Sequence, residues 1–387
     1  MSPRRLSLFL AALVAVVGCD HTAADGVGAP ATSVAAATAA SSTSAPIGSA
    51  PASAAPAPPP APSPRLTLPE EPAVVDLHVD TPWRVHFKGR KKTLPEGHAT
   101  PELLLEGGVA GIVYPIYIPD YIHDNHPTIA DADEIFDTID AIVKENDELA
   151  FAIGPGSAKE RRGLEVPAGK VGVFVSIEGA GAFAEDITQI DRFIARGVRL
   201  VGPVHAHDND LATSATGKRK GGLTDVGKKF CARVYEAGGL VDVSHMSDAS
   251  FEDLVPIAAE HRAPIVATHS NARKLRGHNR NLTDDQLRII ASTGGVAGLN
   301  LHRSFVRQGK AKMQHVVAMV KHMVEVAGVD HVAVGSDFDG GTPVTPVKNA
   351  SKFPALAAAL EKEGLSRADV RKIFGENALR MLYWQVP

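Results

Sequence analysis

Seven ionisable side chains in this sequence fall at one kind of position, the carboxyl end of a short β-branched run. They are His78 and Asp80 in "VVDLHVDTPW", Glu178 in "VGVFVSIEG", His205 in "VRLVGPVHA", His245 in "GLVDVSH", His269 in "PIVATHS" and Asp337 in "HVAVGSDFDG". Imidazole and carboxylate without thiolate are donors that suit zinc or a similar divalent ion. The only two cysteines, Cys19 and Cys231, make neither a disulfide framework nor a zinc–thiolate site. Side chains two apart on a strand point the same way, so His78 and Asp80 can face one central ion. Together with Glu178, His245 and His269 they offer more donors than one tetrahedral zinc takes. Two ions about 3.5–4 Å apart that share a carboxylate would use them all, with Glu178 as the natural bridge. Taken singly, each residue has a plainer reading as a strand-end polar group, a core contact or a helix cap. Their recurrence at equivalent strand ends argues for one binuclear site.

The elements that must position these residues follow from the same pattern. Strand candidates begin at Ala73, Val109, Val171, Val198, Gly239, Pro264, Gly294 and His331. Amphipathic helical patterns lie between them. Thr128 to Asn146 carries apolar residues near helical spacing, and segments led by Thr224 and Thr283 each run from a capping threonine to a glycine. Eight buried strands alternating with helices predict an α/β protein, a (β/α)₈ TIM-like barrel with the metal site at the C-terminal ends of the strands. A doubly wound open sheet is the alternative.

The chain has 387 residues, 44% hydrophobic and 22% charged, with a net charge of −4 and no long basic stripe, which excludes nucleic acid as a partner class. Residues 1–19 have the layout of a lipoprotein-type signal. Arg4-Arg5 precede an apolar run from Leu6 to Val17, and "VVGC" places Cys19 as the lipidated residue of a lipobox. An ordinary signal peptide ending near a cysteine is the alternative. Residues 20–69 are rich in Ala, Pro and Ser and read as a disordered linker. Residues 70–387 form the barrel. The expected location is outside the cytoplasm, as a lipoprotein facing the periplasm or cell exterior that touches the membrane through its lipid anchor only.

From Ala73 to about Trp384 the sequence resembles the renal dipeptidase (membrane dipeptidase) family of zinc peptidases. The resemblance is carried by "DLHVDTP", "SIEGA", "GLTDVGKKF", "VDVSHMSD", "THSNAR", "RNLTDDQL", "VGSDFDG" and "GENALRML" in that order. It implies two Zn²⁺ per chain. His78 and Asp80 would bind one, His245 and His269 the other, and Glu178 would bridge them. It further implies that His205 polarises the scissile carbonyl, Arg280 holds the substrate carboxylate and Asp337 is the acid/base carboxylate. A hydroxide between the two ions would be the nucleophile. Members of the family are often dimers, so a homodimer is an expected possibility.

Departures from the family fall in the substrate pocket. Val79 stands where Asn is common, "AHDND" follows where Cys-Asn-Thr is common, and His302 stands where a Tyr often helps hold the carboxylate. The expected function is hydrolysis of dipeptides. The alternatives are a binuclear hydrolase of another amide, a lactam or an ester, and a non-catalytic lipid-anchored binding protein. His207, Asp208 and Asp210 read as loop polar groups or pocket lining, the basic loops "KGRKK" and "GKRKGG" as solvated charge, and Cys231 as a small buried apolar residue.

Overall fold

The computed structural model describes residues 66–69, 71, 73–156 and 163–385. Cys19, the 1–19 segment and residues 20–65 lie outside the described residues. Nine strands occur among them: β1 (Val74–Asp76), β2 (Val109–Tyr117), β3 (Leu149–Phe151), β4 (Val171–Glu178), β5 (Val198–Gly202), β6 (Leu240–Val241), β7 (Val266–Ala267), β8 (Val296–Leu299) and β9 (Val332–Val334). Their pairing is parallel throughout, in the order β6-β5-β4-β2-β1-β9-β8-β7. A single parallel bridge, Asp242 to Val266, joins the two ends and closes the barrel. The predicted (β/α)₈ barrel is therefore the observed one.

All eight residues of β4 are buried, as expected for a strand with helices outside and a packed barrel inside. The helix Ile129–Glu145 begins where the sequence places it, with Thr128 and Asp131 forming a capping box. It buries Ile135, Phe136, Ile139 and Ile142, and full burial of such side chains contributes about 1.5–3 kcal/mol each. The helix Asp284–Ser292 is capped the same way by Thr283 and Gln286.

Two differences from the sequence reading concern the strands. β3 was not anticipated; it pairs only with the opening residues of β4, from Leu149↔Val171 to Phe151↔Val173, before β5 takes over that edge. The other strands stop short of the ionisable residues, apart from β4, which ends on Glu178. The cause is a set of carboxylates that take over from the ladder. Asp76 Oδ1 accepts the N–H of His78 (3.2 Å) and of Ser336 (2.8 Å), which follows the neighbouring β9. Asp242 Oδ1 accepts the N–H of Ser244 (3.0 Å) and of Thr268 (3.0 Å), which follows the neighbouring β7. Each carboxylate holds two chains together where they splay, and the splay opens the carboxyl end of the barrel into a mouth.

The other end is closed. Leu66 is buried beside Gly111 and Gly172, at the amino-terminal ends of β2 and β4, and its N–H donates to Tyr383 Oη (3.3 Å). Arg199 of β5 donates to the carbonyls of Leu382 (2.8 Å) and Trp384. Among the described residues no helix is long and apolar enough to cross a membrane.

Candidate metal centre

A cavity of about 440 Å³ occupies the mouth, and His78, Asp80, Glu178, His205, His245, His269, Arg280, His302 and Asp337 all line it. The structure thus brings together every barrel residue to which the sequence assigned a metal, catalytic or substrate-binding role. At its floor, His78 Nε2 lies 3.3 Å from Asp80 Oδ2 and 3.6 Å from Glu178 Oε2. Across Glu178, His245 Nε2 and His269 Nε2 lie 3.0 and 3.5 Å from Oε1. Potential ligand atoms fall into three overlapping groups, His78–Glu178–His269, Glu178–His205–His245 and His78–Asp80–Asp337. Glu178 faces imidazoles through both carboxylate oxygens, the placement a shared ligand requires.

The protonation of the imidazoles can be read from their partners. The Thr268 hydroxyl lies 2.6 Å from Asp242 Oδ2 and 2.7 Å from His269 Nδ1. A carboxylate only accepts, so the single hydroxyl proton goes to Asp242 and the oxygen accepts Nδ1–H of His269. The lone pair of His269 is therefore on Nε2, pointing at Glu178. His245 Nε2 lies 3.1 Å from Arg280 Nη2, which can only donate, and 3.0 Å from His269 Nε2. Nitrogens of two imidazoles and an oxygen of Glu178 thus converge on one small volume. The donor set fits a divalent metal.

Electrostatics carry the same signature. Burial pushes the Glu178 carboxyl up to about 8, only partly offset by His78. Burial opposes charge on His78, yet the carboxylates of Glu178 and Asp80 outweigh it and hold the imidazole at about 10. Burial, with the charges of Arg280 and neighbouring imidazoles, keeps His245 and His269 neutral, well below the ordinary histidine range. Asp337 is raised to about 7 by burial and by Asp80, while Asn300 Nδ2 donates to its Oδ2 at 3.0 Å. His205 is lowered to about 3 by burial and Arg280. Gly340 allows this crowding, since a Cβ there would sit 2.2 Å from Asp80 Oδ2 and 2.3 Å from Asp337 Oδ1.

Several lining residues were not singled out from the sequence, among them Trp83, Tyr117, His278 and Phe305. The ring of Tyr117 lies 4.5 Å from that of His205. Trp83 stands inside the quoted "DTPW", and that aromatic residue beside two donors was the available signal; the others carry none. Asp208 closes its own loop, accepting the N–H groups of Ser214 (2.8 Å), Lys218 (2.7 Å) and Arg219 (2.7 Å), and His207 is exposed. One expectation is corrected. Arg90 of "KGRKK" is not solvated charge; it pairs with the buried Asp339 at 2.7 Å, which also accepts from Thr81 Oγ1 (2.8 Å) and His98 N (3.0 Å).

Comparison with known proteins follows the same line. Residues 66–385 match the sequence profile of a family described as membrane dipeptidase, peptidase family M19. An uncharacterized dipeptidase of Schizosaccharomyces pombe is 27% identical over 336 residues, 80% of this chain and 79% of that protein. A solved metallopeptidase of family M19, dipeptidase AC, superposes with a TM-score of 0.70 at 27% identity, covering 82% of this chain and 99% of that one. A metallopeptidase from Rhodobacter sphaeroides, liganded with a phosphinate mimic of the dipeptide L-Ala-D-Ala, gives a TM-score of 0.68 at 27% identity, with 81% and 100% covered.

Proposed function

Because the chain belongs to the membrane dipeptidase family, peptidase family M19, we propose that it hydrolyses the peptide bond of dipeptides with two zinc ions held by the clustered donors. His78 and Asp80 would hold one ion, His245 and His269 the other, and Glu178 would be shared between them. The observation that carries this reading is the convergence of imidazole nitrogens on both oxygens of Glu178 at 3.0–3.6 Å. Zinc bound there supplies Lewis acidity and brings the pKa of water toward neutrality.

The chain's own groups do the rest. Asp337, poised near 7, exchanges a proton at neutral pH, and Asn300 holds its Oδ2 so that Oδ1 is the oxygen free to pass that proton to the departing amine. His205 stays neutral and offers an N–H to the carbonyl oxygen as negative charge develops on it. Arg280, lowered by burial only to about 10, remains cationic and offers a donor fork to the substrate's terminal carboxylate. Its Nε is buried without a partner among the described residues. His302 lies on the same wall of the cavity as a neutral second contact, lowered to about 4 by burial and Arg303. The dipeptide mimic bound by the Rhodobacter sphaeroides relative supports a substrate of that size.

The same proposal covers location, on the strength of residue order alone: export, lipidation at Cys19 and a tether through the linker read as residues 20–69, which is shorter than expected at its far end because Leu66 packs into the barrel. Incorporation of labelled palmitate, lost in Cys19→Ser, tests it. The activity is tested by metal content together with hydrolysis of an L,L and L,D dipeptide panel, beside Glu178→Ala. Two zinc ions per chain with dipeptide turnover, both lost in the variant, is the expected result. Metal without dipeptide turnover redirects the chemistry to another amide or an ester, and absence of metal refutes the site.

A further inference from the structure

A second cavity of about 510 Å³ adjoins the first on the same face of the barrel. Its charged lining is Arg276, Arg303, Arg307 and Lys310, and no acidic residue lines it. Among the described residues none of these four cations forms an ion pair. Arg276 donates only to the carbonyls of Ser304 (3.0 Å) and Gly277 (3.1 Å), Arg307 meets only His315 (3.1 Å), and the side chains of Arg303 and Lys310 have no hydrogen bond. Elsewhere on this surface arginines are paired: Arg192 with Asp133, Arg233 with Asp191, Arg273 with Asp248, Arg288 with Asp285. Four unneutralised cations around one hollow are unusual for this molecule, and a bound anion would relieve their mutual repulsion.

The two cavities share a thin wall. Ser304 lines both, and the bridge between His302 and Pro343 is the seam between them. The guanidinium of Arg280 lies 5.4 Å from the ring of Phe305, the next residue along that wall. A terminal carboxylate held by Arg280 therefore sets the substrate's C-terminal residue against Phe305 and Ser304, beside the cationic hollow.

We propose that this hollow is an anion subsite for the side chain of the substrate's C-terminal residue, and that the enzyme favours dipeptides ending in a side-chain carboxylate. The proposal rests on the dipeptidase reading above, and the test separates the two. Ala-Glu and its neutral isostere Ala-Gln, each in L,L and L,D form, are compared on the zinc-loaded enzyme and on Arg307→Gln/Lys310→Gln. Both substituted side chains are exposed and lie outside the metal cluster. The expected result is a kcat/KM about five- to tenfold higher for the acidic member at low ionic strength, the yield of a few partly exposed charge contacts. That preference shrinks in about 0.5 M salt as screening shortens, and it falls toward parity in the variant while Ala-Gln turnover is unchanged. Equal turnover of both substrates by the unaltered enzyme overturns the subsite and leaves the dipeptidase reading intact. A preference that survives in the variant also overturns it. No turnover of either substrate overturns both.

Discussion

Thr268 is a residue whose removal should disarm the metal centre without touching a ligand. Its side chain is fully buried, and its single hydroxyl both donates to Asp242 (2.6 Å) and accepts Nδ1–H of His269 (2.7 Å). Thr268→Val preserves shape and deletes both bonds. The lost bond to a carboxylate is worth roughly 1.5–3 kcal/mol, and the stranded Nδ1–H costs about 1–3 kcal/mol more. The second quantity matters for function, because His269 can escape it by switching tautomer or turning, and either withdraws the Nε2 lone pair from Glu178. Loss of such an orienting partner typically weakens metal binding about 10- to 100-fold. Zinc affinity read by competition with a chromophoric chelator should fall by that factor, and Thr268→Ser, which keeps the hydroxyl, should restore it. Zinc binding by Thr268→Val within about twofold of the unaltered protein would refute the tautomer argument.

Other outcomes follow from the same structure. Asp339→Ala should lower stability by about 3–5 kcal/mol, seen as a lower urea midpoint, because it strands the mostly buried Arg90 and frees Thr81 and the His98 amide; a loss under about 1 kcal/mol would contradict the buried pairing. Zinc at about a thousandfold above its dissociation constant should stabilise the metal-free protein by about 4 kcal/mol per site, visible as a raised Tm, and an unmoved Tm would count against a cation in the cluster. His302, lowered to about 4 by burial and Arg303, is neutral in the folded chain but protonated below about 6.5 in the unfolded one. The unfolded chain then binds more protons across that window, so stability contributed by neutral His302 is lost as pH falls from about 6.5 toward 4. His302→Gln should flatten that part of the urea-midpoint profile, and an unchanged slope would refute the assignment.

What the sequence disclosed, and what it withheld, has a physical division. Donor residues at strand ends were legible because a parallel barrel repeats its geometry, so equivalent positions in different strands meet in space. The helix starts at Thr224 and Thr283 were legible because capping is local chemistry. The strand β3 was not, since three residues carry no usable period. Nor were the early strand ends: the ladder is abandoned only because Asp76 and Asp242 each reach across to a neighbouring chain. The pattern of a carboxylate two residues ahead of the donor it orients, Asp76 before His78 and Asp242 before Ser244, was present in the sequence and is recognisable once its purpose is known. Arg90 was misjudged because its partner Asp339 lies far along the chain, and composition alone makes "KGRKK" look like solvent-facing charge. Asp337 and Asp339 both take left-handed backbone, with φ of 63° and 67°, which nothing local demands.

The sealed pole of the barrel decides how the enzyme can be handled and displayed. Leu66 and Tyr383 are joined there, and Arg199 pins the residues around Trp384 to the same end. Nine-residue β2 starts at that pole and runs toward the mouth, a rise of about 30 Å at roughly 3.3 Å per residue. Leu66 and Gln385, the first and last described residues, therefore lie on the side facing away from the substrate entrance. Fusion partners, resin linkages or a surface tether at either end should leave diffusion into the cavity unobstructed, whereas trimming to Ala73 would pull Leu66 out of the plug and loosen the end that holds the strands in register.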